Sequence, residues 1–436
     1  MKKIVIMGAA GKDFHVFNTT YRQDPNVKVI AFTAAQIPNI SGRKYPPQLA
    51  GPLYPEGIPI KSERGFDKFI RENGINEVVF AYSDVSYDYV AEREKKVKAT
   101  GASFKTFDIA PTLLKSTKPV VAICAVRTGC GKSPTSRAVI KELLAMGKKV
   151  VAIRHPMPYG NLVKQEVQRF ATLEDLKSHH CTIEEMEEYE PHIRNGVVVY
   201  AGVDYEKILR EAEKEADVII WDGGNNDTPC IKPDLHMTLV DPLRPGHEVS
   251  FFPGRVNVEM ADVILMTKIS QAKKEDIETV ENNIRRYNPK AKLIKADIVF
   301  EAENPDVIKG KRVLVIEDGP TLTHGGMKFG AGILAAQKYG AAETIDPKPY
   351  VVGTFAEAFQ EYDIGPLLPA LGYGEQQMSD LEATIRNCKP QAVIIATPID
   401  LSRIIKIDVP STRVTYELQE TQPGSLRQVL SSVVKK

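Results

Sequence analysis

The sequence has few cysteines and no long hydrophobic run. Its five cysteines are an odd number among 436 residues, and they form neither a CxxC pair nor the Cys/His spacing of a metal site. This argues against a disulfide framework and favours a reducing compartment. No apolar run has the length of a signal-peptide core or a membrane span, so we expect a cytoplasmic protein without a membrane partner.

The sequence also lacks an excess of charge of one sign. Lysine and arginine number 57 and aspartate and glutamate number 56, which gives a net charge of +1. Because binding to nucleic acid usually depends on a basic surface, this balance predicts no nucleic-acid partner. The length predicts roughly two to three domains, and a hydrophobic content of 43% is typical of a globular protein.

Two kinds of segment alternate along the chain. Short runs rich in valine and isoleucine, typical of buried parallel strands, are separated by longer charged stretches with helical spacing. This alternation predicts an α/β protein with doubly wound sheets. The predicted strands are Lys3–Met7, Val27–Phe32, Glu77–Tyr82, Val120–Ala125, Val150–Ile153, Val197–Tyr200, Val218–Trp221, Val263–Met266, Ala291–Lys295, Val313–Ile316 and Ala392–Ala396.

We predict three regions. Residues 1–117 form a Rossmann-like α/β domain that opens with a strand and a glycine turn. A new strand at Val120 begins a P-loop NTPase domain over residues 118–346. A glycine-rich polar loop precedes the last boundary, and residues 347–436 form a small C-terminal α/β region or the closing half of the central domain.

A phosphate loop is the strongest functional motif. The strand Val120–Ala125 leads into it, and a helix-like stretch follows it. Glycines let backbone N–H groups converge on phosphate oxygens, and the helix N-terminus adds partial positive charge. We expect Lys132 to reach the β/γ-phosphates and the Ser133 hydroxyl to bind Mg²⁺. The predicted nucleotide-binding residues of the loop are Thr128, Gly129, Cys130, Gly131, Lys132, Ser133 and Pro134.

The loop departs from the usual pattern because Val126 stands at the first glycine position. It resembles the variant loop of the MinD-like and dethiobiotin-synthetase-like P-loop class. In MinD-like members a lysine opens the loop, and Arg127 stands at that place here. The alternative interpretation is a glycine turn that binds nothing.

Carboxylates and a base-binding segment complete the nucleotide prediction. Asp222 follows a buried strand run, which is the Walker B arrangement for Mg²⁺. Glu190 is a candidate second Mg²⁺ ligand, although its acidic stretch is also typical of a solvated helix face. Thr267 and Lys268 are predicted to bind the nucleotide. Ser270 replaces the aspartate that pairs with guanine in Asn-Lys-x-Asp, so ATP is favoured and GTP is the alternative.

Polar clusters after other strands predict a site for an anionic substrate. Such residues line the crevice at the carboxyl ends of parallel strands. The candidates are Arg154, His155, Arg244, His247, Thr321 and His324. The alternative interpretation of each cluster is a turn shaped by proline or glycine. A weaker candidate for a phosphorylated ligand is the N-terminal turn at Gly11, Lys12 and His15, whose glycine spacing is not that of a dinucleotide site.

The order of these motifs resembles the cyclic 2,3-diphosphoglycerate synthetase family over essentially the full chain. The resemblance implies ATP-dependent closure of 2,3-diphosphoglycerate to its cyclic pyrophosphate, with release of ADP and phosphate. It implies a small phosphorylated metabolite as partner, and we expect a homo-oligomer, most simply a dimer. The motifs that carry it begin at Met7, Ala125, Arg154, Asp222 and Asp318 and read MGAAGKDFH, AVRTGCGKS, RHPMPYG, DGGNND and DGPT.

In the implied chemistry, the γ-phosphoryl group passes to one phosphate of the substrate and forms a mixed anhydride. The neighbouring phosphate of the substrate then attacks within the molecule and expels phosphate. Cations must offset the repulsion between the reacting phosphates. The predicted catalytic residues are Lys132, Arg127, Asp222, Arg154 and His155. The alternative function is a nucleotide-dependent switch or metallochaperone-type ATPase or GTPase with a metabolite-sensing N-terminal domain. In that case Arg127 acts across a dimer that sandwiches ATP.

Overall fold

The computed structural model describes residues 1–35, 40–157, 160–224, 226–319, 322, 328–371, 375–399 and 401–434. The first unit of the fold extends to residue 112. Its strands are β1 (Lys2–Met7), β2 (Val27–Ala34), β3 (Lys44–Tyr45), β4 (Ile58–Ser62), β5 (Glu77–Phe80), β6 (Val85–Ser86) and β7 (Ser103–Thr106). Its helices are α1 (Gly11–Val16), α2 (Pro47–Ala50), α3 (Phe66–Asn73) and α4 (Tyr87–Lys98), with a π-helical segment Phe17–Tyr21 and a 3₁₀ turn Ala110–Thr112.

The second unit carries the phosphate loop. Its strands are β8 (Val120–Ala125), β9 (Val150–Ile153), β10 (Gln168–Phe170), β11 (Val198–Ala201), β12 (Val218–Trp221), β13 (Leu235–Val240), β14 (Phe251–Phe252), β15 (Val263–Met266) and β16 (Lys292–Ala302). Its helices are α5 (Lys132–Ala145), α6 (Leu173–Ser178), α7 (Ile183–Arg194), α8 (Tyr205–Glu215), α9 (His247–Ser250), α10 (Gly254–Met260) and α11 (Lys274–Tyr287), with a 3₁₀ turn Ile269–Gln271.

The third unit follows β16. Its strands are β17 (Arg312–Asp318), β18 (Glu343–Thr344), β19 (Leu368–Ala370), β20 (Ala392–Ala396) and β21 (Ser411–Glu420). Its helices are α12 (Ala331–Lys338), α13 (Gly353–Glu361), α14 (Glu375–Cys388) and α15 (Ser425–Val434), with 3₁₀ turns Pro305–Val307 and Leu401–Arg403. Among the described residues, no helix is long and apolar enough to cross a membrane.

Two sheets organise these elements. The first has the order β3-β4-β2-β1-β5-β7, and its strands are parallel except β3. The second runs β10-β11-β9-β12-β8-β13-β15-β16 and continues through β21 to β20, β17 and β18. The strand β16 joins the second and third units, because it pairs in parallel with β15 and then antiparallel with β21. The phosphate-loop strand β8 lies between β12 and β13, inside the parallel part.

A short ribbon ties the first unit to the second. The strand β14 pairs antiparallel with β6, and Phe252 packs in the hydrophobic core of the first unit. Two further cores cover the two faces of the phosphate-loop sheet, and a fourth lies in the third unit. The ribbon places the loop that precedes β6 beside the phosphate loop.

The structure confirms the predicted fold class, an α/β protein with large parallel sheets. The strands β8, β9, β12, β15 and β20 begin and end at the predicted residues. The sequence reading did not include β21, the antiparallel strand that joins the two parallel parts of the large sheet. The domain boundaries after residues 117 and 346 stay predictions, because hydrogen-bonded sheets do not by themselves define domains.

Candidate nucleotide and substrate site

The phosphate loop connects β8 to α5. Gly129 and Gly131 have φ angles of +84° and +92°, which residues with a side chain rarely adopt. A Cβ at position 131 would also lie 3.2 Å from the Ile298 Cδ1 atom. Lys132 is the first residue of α5, so the loop directs backbone N–H groups and the helix N-terminus at one point.

Three basic side chains surround the Asp222 carboxylate at the end of β12. The Lys132 Nζ atom lies 2.6 Å from Oδ1, and the Arg154 Nη1 atom lies 2.5 Å from Oδ2. The His192 Nε2 atom lies 3.2 Å from Oδ2, and the sequence had not predicted His192 as a site residue. Burial alone opposes ionisation of Asp222, but the charges of Arg154 and Lys132 outweigh it and hold its pKa well below the usual range.

A cavity opens beside the loop. Nine of the predicted residues line it: Arg127, Thr128, Gly129, Gly131, Lys132, Ser133, Pro134, Arg154 and Lys268. Its lining does not include the predicted residues Cys130, Asp222, Thr267, Arg244, His247, His155 and Glu190. Asp222 lies directly behind Lys132 and Arg154, so it contacts the cavity through them.

Three side chains donate hydrogen bonds to carbonyl groups of the loop, and Asp241 holds two of them. Lys268 donates to the Gly129 carbonyl at 2.7 Å, and the Thr267 hydroxyl donates to the Cys130 carbonyl at 2.8 Å. Arg244 donates to the Thr128 carbonyl at 2.9 Å. The Asp241 carboxylate accepts from both Lys268 and Arg244, at 2.7 and 3.1 Å. The geometry therefore gives Arg244 a role in holding the loop, where the sequence predicted substrate binding.

Arg127 is held by a residue of the first unit. Its Nε atom lies 2.6 Å from the Asp84 Oδ1 atom, and its guanidinium lies 3.8 Å from the centre of the Phe251 ring. The other Asp84 oxygen accepts from the Thr128 hydroxyl at 2.6 Å. His247 lies 3.2 Å from Arg127, and burial together with that cation lowers the pKa of His247 to about 4. At neutral pH His247 is therefore an uncharged neighbour of Arg127 and no cation for an anionic substrate.

On helix α7, Glu188 contacts the residues around Asp222, whereas the sequence had indicated Glu190. Glu190 pairs with Arg194 at 2.6 Å and with Arg403 of the third unit at 3.0 Å. Glu188 instead lies 2.5 Å from the Arg154 Nη2 atom and 3.5 Å from the His155 Nδ1 atom. Arg154 thus bridges Asp222 and Glu188.

Five carboxyl groups line the cavity together with these basic residues: Glu184, Glu187, Glu188, Glu317 and Asp318. Three come from α7 and two from the end of β17. Burial is the largest cause of a pKa of about 8 for Glu317, although it accepts the Gly332 N–H at 2.7 Å. Burial and the nearby Asp318 raise the pKa of Glu187 well above its usual value.

Three of these acids could have been found from spacing. Glu184, Glu187 and Glu188 stand at positions i, i+3 and i+4, so they share one helix face. Glu190 falls outside that pattern. The contributions of Glu317 and Asp318 depend on the position of the third unit, and no local pattern indicates it.

The N-terminal glycine turn is occupied by the protein itself. The Lys12 ammonium donates to the Pro229 carbonyl at 3.1 Å and is buried. The buried His15 ring lies 2.6 Å from the Thr112 carbonyl. The Lys12 contact joins the first two units, and both contacts argue against a phosphorylated ligand at Lys12 and His15. The predicted substrate residues Thr321 and His324 lie outside the described residues.

The loop fits a Mg²⁺–nucleotide in its donor chemistry. Ser133 lines the cavity with a hydroxyl oxygen, and Asp222 lies 2.6 Å from the adjacent Lys132 ammonium. Hydroxyl and carboxylate oxygens are the ligands that Mg²⁺ prefers. The Lys132 ammonium therefore stands where both a phosphate group and the Asp222 carboxylate can be reached.

The parallel sheet, the glycine loop that begins α5 and the acid at the end of β12 define a P-loop nucleotide-binding protein. The chain belongs to the cyclic 2,3-diphosphoglycerate synthetase family of P-loop ligases. The model of this family described as "Cyclic 2,3-diphosphoglycerate synthetase, P-loop domain" matches residues 195–297.

Two relatives carry different names. The protein "Arginine synthetase ArcE" of Thermococcus kodakarensis is 56% identical over 435 residues, which cover 100% of this chain and 97% of the relative. A "Cyclic 2,3-diphosphoglycerate synthetase" of Thermococcus sibiricus is 23% identical over 282 residues, or 58% of this chain and 63% of the relative. Among solved structures, LpxK from Aquifex aeolicus aligns over 80% of this chain and 98% of that one, with 12% identity and a TM-score of 0.47.

Proposed function

We propose that the chain is an ATP-dependent ligase that forms arginine. It shares 56% of its residues, over its whole length, with a relative named arginine synthetase. The proposal changes the substrate that the sequence resemblance implied and keeps the nucleotide chemistry. We retain ATP and Mg²⁺ as predicted, with Lys132 as the main phosphate contact.

The acidic wall of the cavity is the observation that carries this choice. Glu184, Glu187, Glu188, Glu317 and Asp318 line the same cavity as the phosphate loop. A diphosphoglycerate carries several negative charges, so the ionised members of the wall would repel it, and Glu317, with its pKa of about 8, would have to stay protonated beside it. An amino acid with an ammonium or guanidinium group gains from the same wall. The carboxyl groups of this wall therefore favour an amino-acid ligand over a diphosphoglycerate.

The phosphate loop supports the nucleotide half of the reaction. We expect the N–H groups of the loop and Lys132 to bind the β- and γ-phosphates, and Arg154 to approach the transferring group from the opposite side. Mg²⁺, held by Ser133 with Asp222 behind it, would neutralise phosphate charge. Arg154 is held in place by its ion pairs with Asp222 and Glu188, at 2.5 Å each.

The reaction follows from the difference between arginine and its simplest precursor. Citrulline has an oxygen where arginine has one guanidino nitrogen. In the proposed first step, the ureido oxygen attacks the γ-phosphorus, and the bond from phosphorus to the β-γ bridging oxygen breaks to release ADP. In the second step, ammonia attacks the ureido carbon and the carbon–oxygen bond breaks. Phosphate leaves with one proton of the ammonia, and arginine remains.

A second candidate is the closure of 2,3-diphosphoglycerate to its cyclic phosphoanhydride. The family model over residues 195–297 and the relative from Thermococcus sibiricus support it. Its cations would be Lys132, Arg127 and Arg154, which line the cavity. The acidic wall opposes it, so we rank it second.

The two candidates separate in one assay. We would measure ADP, phosphate and arginine formed from Mg·ATP, and in parallel from Mg·GTP, with citrulline and ammonium or with 2,3-diphosphoglycerate. Arginine formed in proportion to ADP, and absent with Lys132→Ala, is the expected result. Stimulation by 2,3-diphosphoglycerate alone would overturn the proposal in favour of the second candidate. Turnover that neither substrate stimulates would favour a nucleotide-dependent switch.

A further inference from the structure

The carboxyl groups of the acidic wall have different environments. Arg154 pairs with Glu188, and Glu317 accepts N–H groups of Gly332 and Ile333 at 2.7 and 3.3 Å. Glu187 has a different environment, because burial and the nearby carboxyl group of Asp318 raise its pKa well above the usual value. A buried carboxyl group beside a second carboxyl group is stable only when it is protonated or when a cation lies close by.

The carboxyl group of Glu187 has an oxygen atom whose hydrogen-bonding capacity no described residue satisfies. The residue is 5% exposed, lines the cavity, and its Oε1 atom has no hydrogen-bond partner within the described part of the chain. A buried carboxylate oxygen without a partner costs free energy unless a ligand satisfies it. Charged groups near Glu187 include Asp318, Glu184 and Glu188, and Arg137 and Glu317 lie near the neighbouring Tyr416.

The surrounding walls are apolar. Ile298 and Phe300 of β16, Tyr416 of β21, Phe329 and Leu334 line the same cavity. Aromatic faces attract organic cations, and aliphatic walls suit a methylene chain. Over the residues that the structure describes, no group of three or more His, Cys, Asp or Glu side chains is arranged to hold a metal ion. The chemistry of the wall fits a nitrogen cation on an apolar stem.

We propose that Glu187 and Asp318, with Glu317 beside them, form a subsite for a nitrogen cation of the amino-acid ligand. The subsite rests on the proposed function, since that function supplies an amino acid with an α-ammonium group and a product with a guanidinium group. Both cations offer several N–H donors to carboxylate oxygens. The cation supplies a hydrogen-bond donor to the buried Glu187 Oε1 atom.

Calorimetric binding to the full chain tests this subsite, with Mg²⁺ and a non-hydrolysable ATP analogue present. The ligands are arginine, citrulline with only its α-ammonium group, Nα-acetylarginine with only its guanidinium, and Nα-acetylcitrulline with neither. For Glu187→Gln and Asp318→Asn we expect arginine to bind at least about tenfold more weakly, or about 1.4 kcal/mol. The exposed Glu361→Gln is the control and should bind like the wild type.

The separate ligands identify which cation occupies the subsite. Weaker binding of citrulline alone assigns the α-ammonium group, and weaker binding of Nα-acetylarginine alone assigns the guanidinium. Unchanged affinity for the ATP analogue shows that each variant is folded. Wild-type affinity of both variants for all ligands would overturn the subsite.

Failure of the subsite and failure of the proposed function give different results. If citrulline and ammonia yield arginine, but Glu187→Gln keeps the wild-type KM for citrulline and the wild-type affinity for arginine, the function stands and the subsite is rejected. If no arginine forms, but the variants weaken arginine binding, the subsite stands and the reaction must be another conversion of a basic amino acid.

Discussion

Asp222 shows how single residues decide the chemistry of the site. A buried carboxylate is costly unless it is paired, and here Lys132, Arg154 and His192 surround it. Two of these three partners come from elements other than the phosphate loop. The pairing keeps Asp222 ionised and holds Lys132 at the loop before a nucleotide binds.

Lys132 is the residue whose loss should be most damaging. We expect Lys132→Ala to lower turnover by about a hundredfold or more, because a charge aimed at the transferring phosphate is lost. Steady-state kinetics and ATP-analogue binding measure the effect. Lys141→Ala, an exposed lysine on the same helix, is the matched control. Equal kinetics for both variants would contradict the phosphate-loop assignment.

Asp13 predicts a pH dependence of stability. Burial is the main cause that raises its pKa to about 7, from 3.8, with a further contribution from Asp227. The folded protein therefore binds this proton more tightly than the unfolded chain does. The stability that the protonated group provides is complete below about pH 4 and is lost as the pH rises through 7.

The Asp13→Asn variant should not lose this stability as the pH rises, because asparagine does not ionise. Relative to the wild type, we expect its free energy of unfolding to increase steadily between pH 4 and pH 8, as measured by urea unfolding. The exposed Asp67→Asn should show no such trend. A difference between Asp13→Asn and the wild type that stays constant with pH would refute the ionisation argument.

At the scale of elements, the phosphate loop depends on contacts from outside its own strand and helix. Lys268, Thr267 and Arg244 donate to three successive carbonyls of the loop, those of residues 128 to 130. Their positions follow the strands β13 and β15, which are hydrogen-bonded neighbours. The loop conformation is therefore set by the sheet as well as by its glycines.

Asp84 extends this support from the first unit. We expect Asp84→Ala to raise the KM for ATP by about tenfold or more, since it removes charged hydrogen bonds to Arg127 and Thr128. The kcat should change less, because Asp84 does not line the cavity. Asp84→Asn, which keeps the acceptor oxygen, should lie between Asp84→Ala and the wild type.

The control for Asp84 is Asp108→Asn, an exposed change in the same unit. Steady-state kinetics over a range of ATP concentrations separate KM from kcat. A fall in kcat with an unchanged KM would mean that Asp84 acts on the chemical step and not on the loop. An unchanged KM and kcat would mean that the contacts of Asp84 with Arg127 and Thr128 do not affect activity.

At the scale of the whole molecule, the first and second units share one hydrophobic core. The ring centre of Phe252 lies 5.8 Å from that of Phe80, 6.0 Å from that of Tyr87 and 6.4 Å from that of Phe107. The aromatic group comes from the second unit and fills a space in the first. All three units also contribute to the site. The second unit carries the phosphate loop, the first contributes Asp84, and the third contributes Glu317 and Asp318.

Phe252→Ala should destabilise the protein by about 3–5 kcal/mol, because it leaves a cavity where a 5% exposed aromatic ring packs. Urea unfolding gives this free energy directly. Leu53→Ala, at a 38% exposed position, is the control and should change the stability much less. A cost for Phe252→Ala no larger than that of the control would argue against a shared core.

The parallel sheet, the phosphate loop and Asp222 could all be predicted from the amino-acid sequence. These features depend on short-range patterns, namely valine- and isoleucine-rich runs, glycine spacing and an acid at a strand end. Each pattern acts through the backbone within a few residues, so it can be read without a structure. The resemblance to the synthetase family rested on the same motifs.

Tertiary structure alone decided which side chains face the loop. It placed Arg244 behind the loop, Glu190 between two arginines, and Glu317 in the cavity wall. The position of Glu317 depends on the pairing of β16 with β21, which joins residues more than a hundred positions apart. Because β17 joins the large sheet through this long-range pairing, the sequence predicted the nucleotide but not the contribution of Glu317 and Asp318 to the cavity.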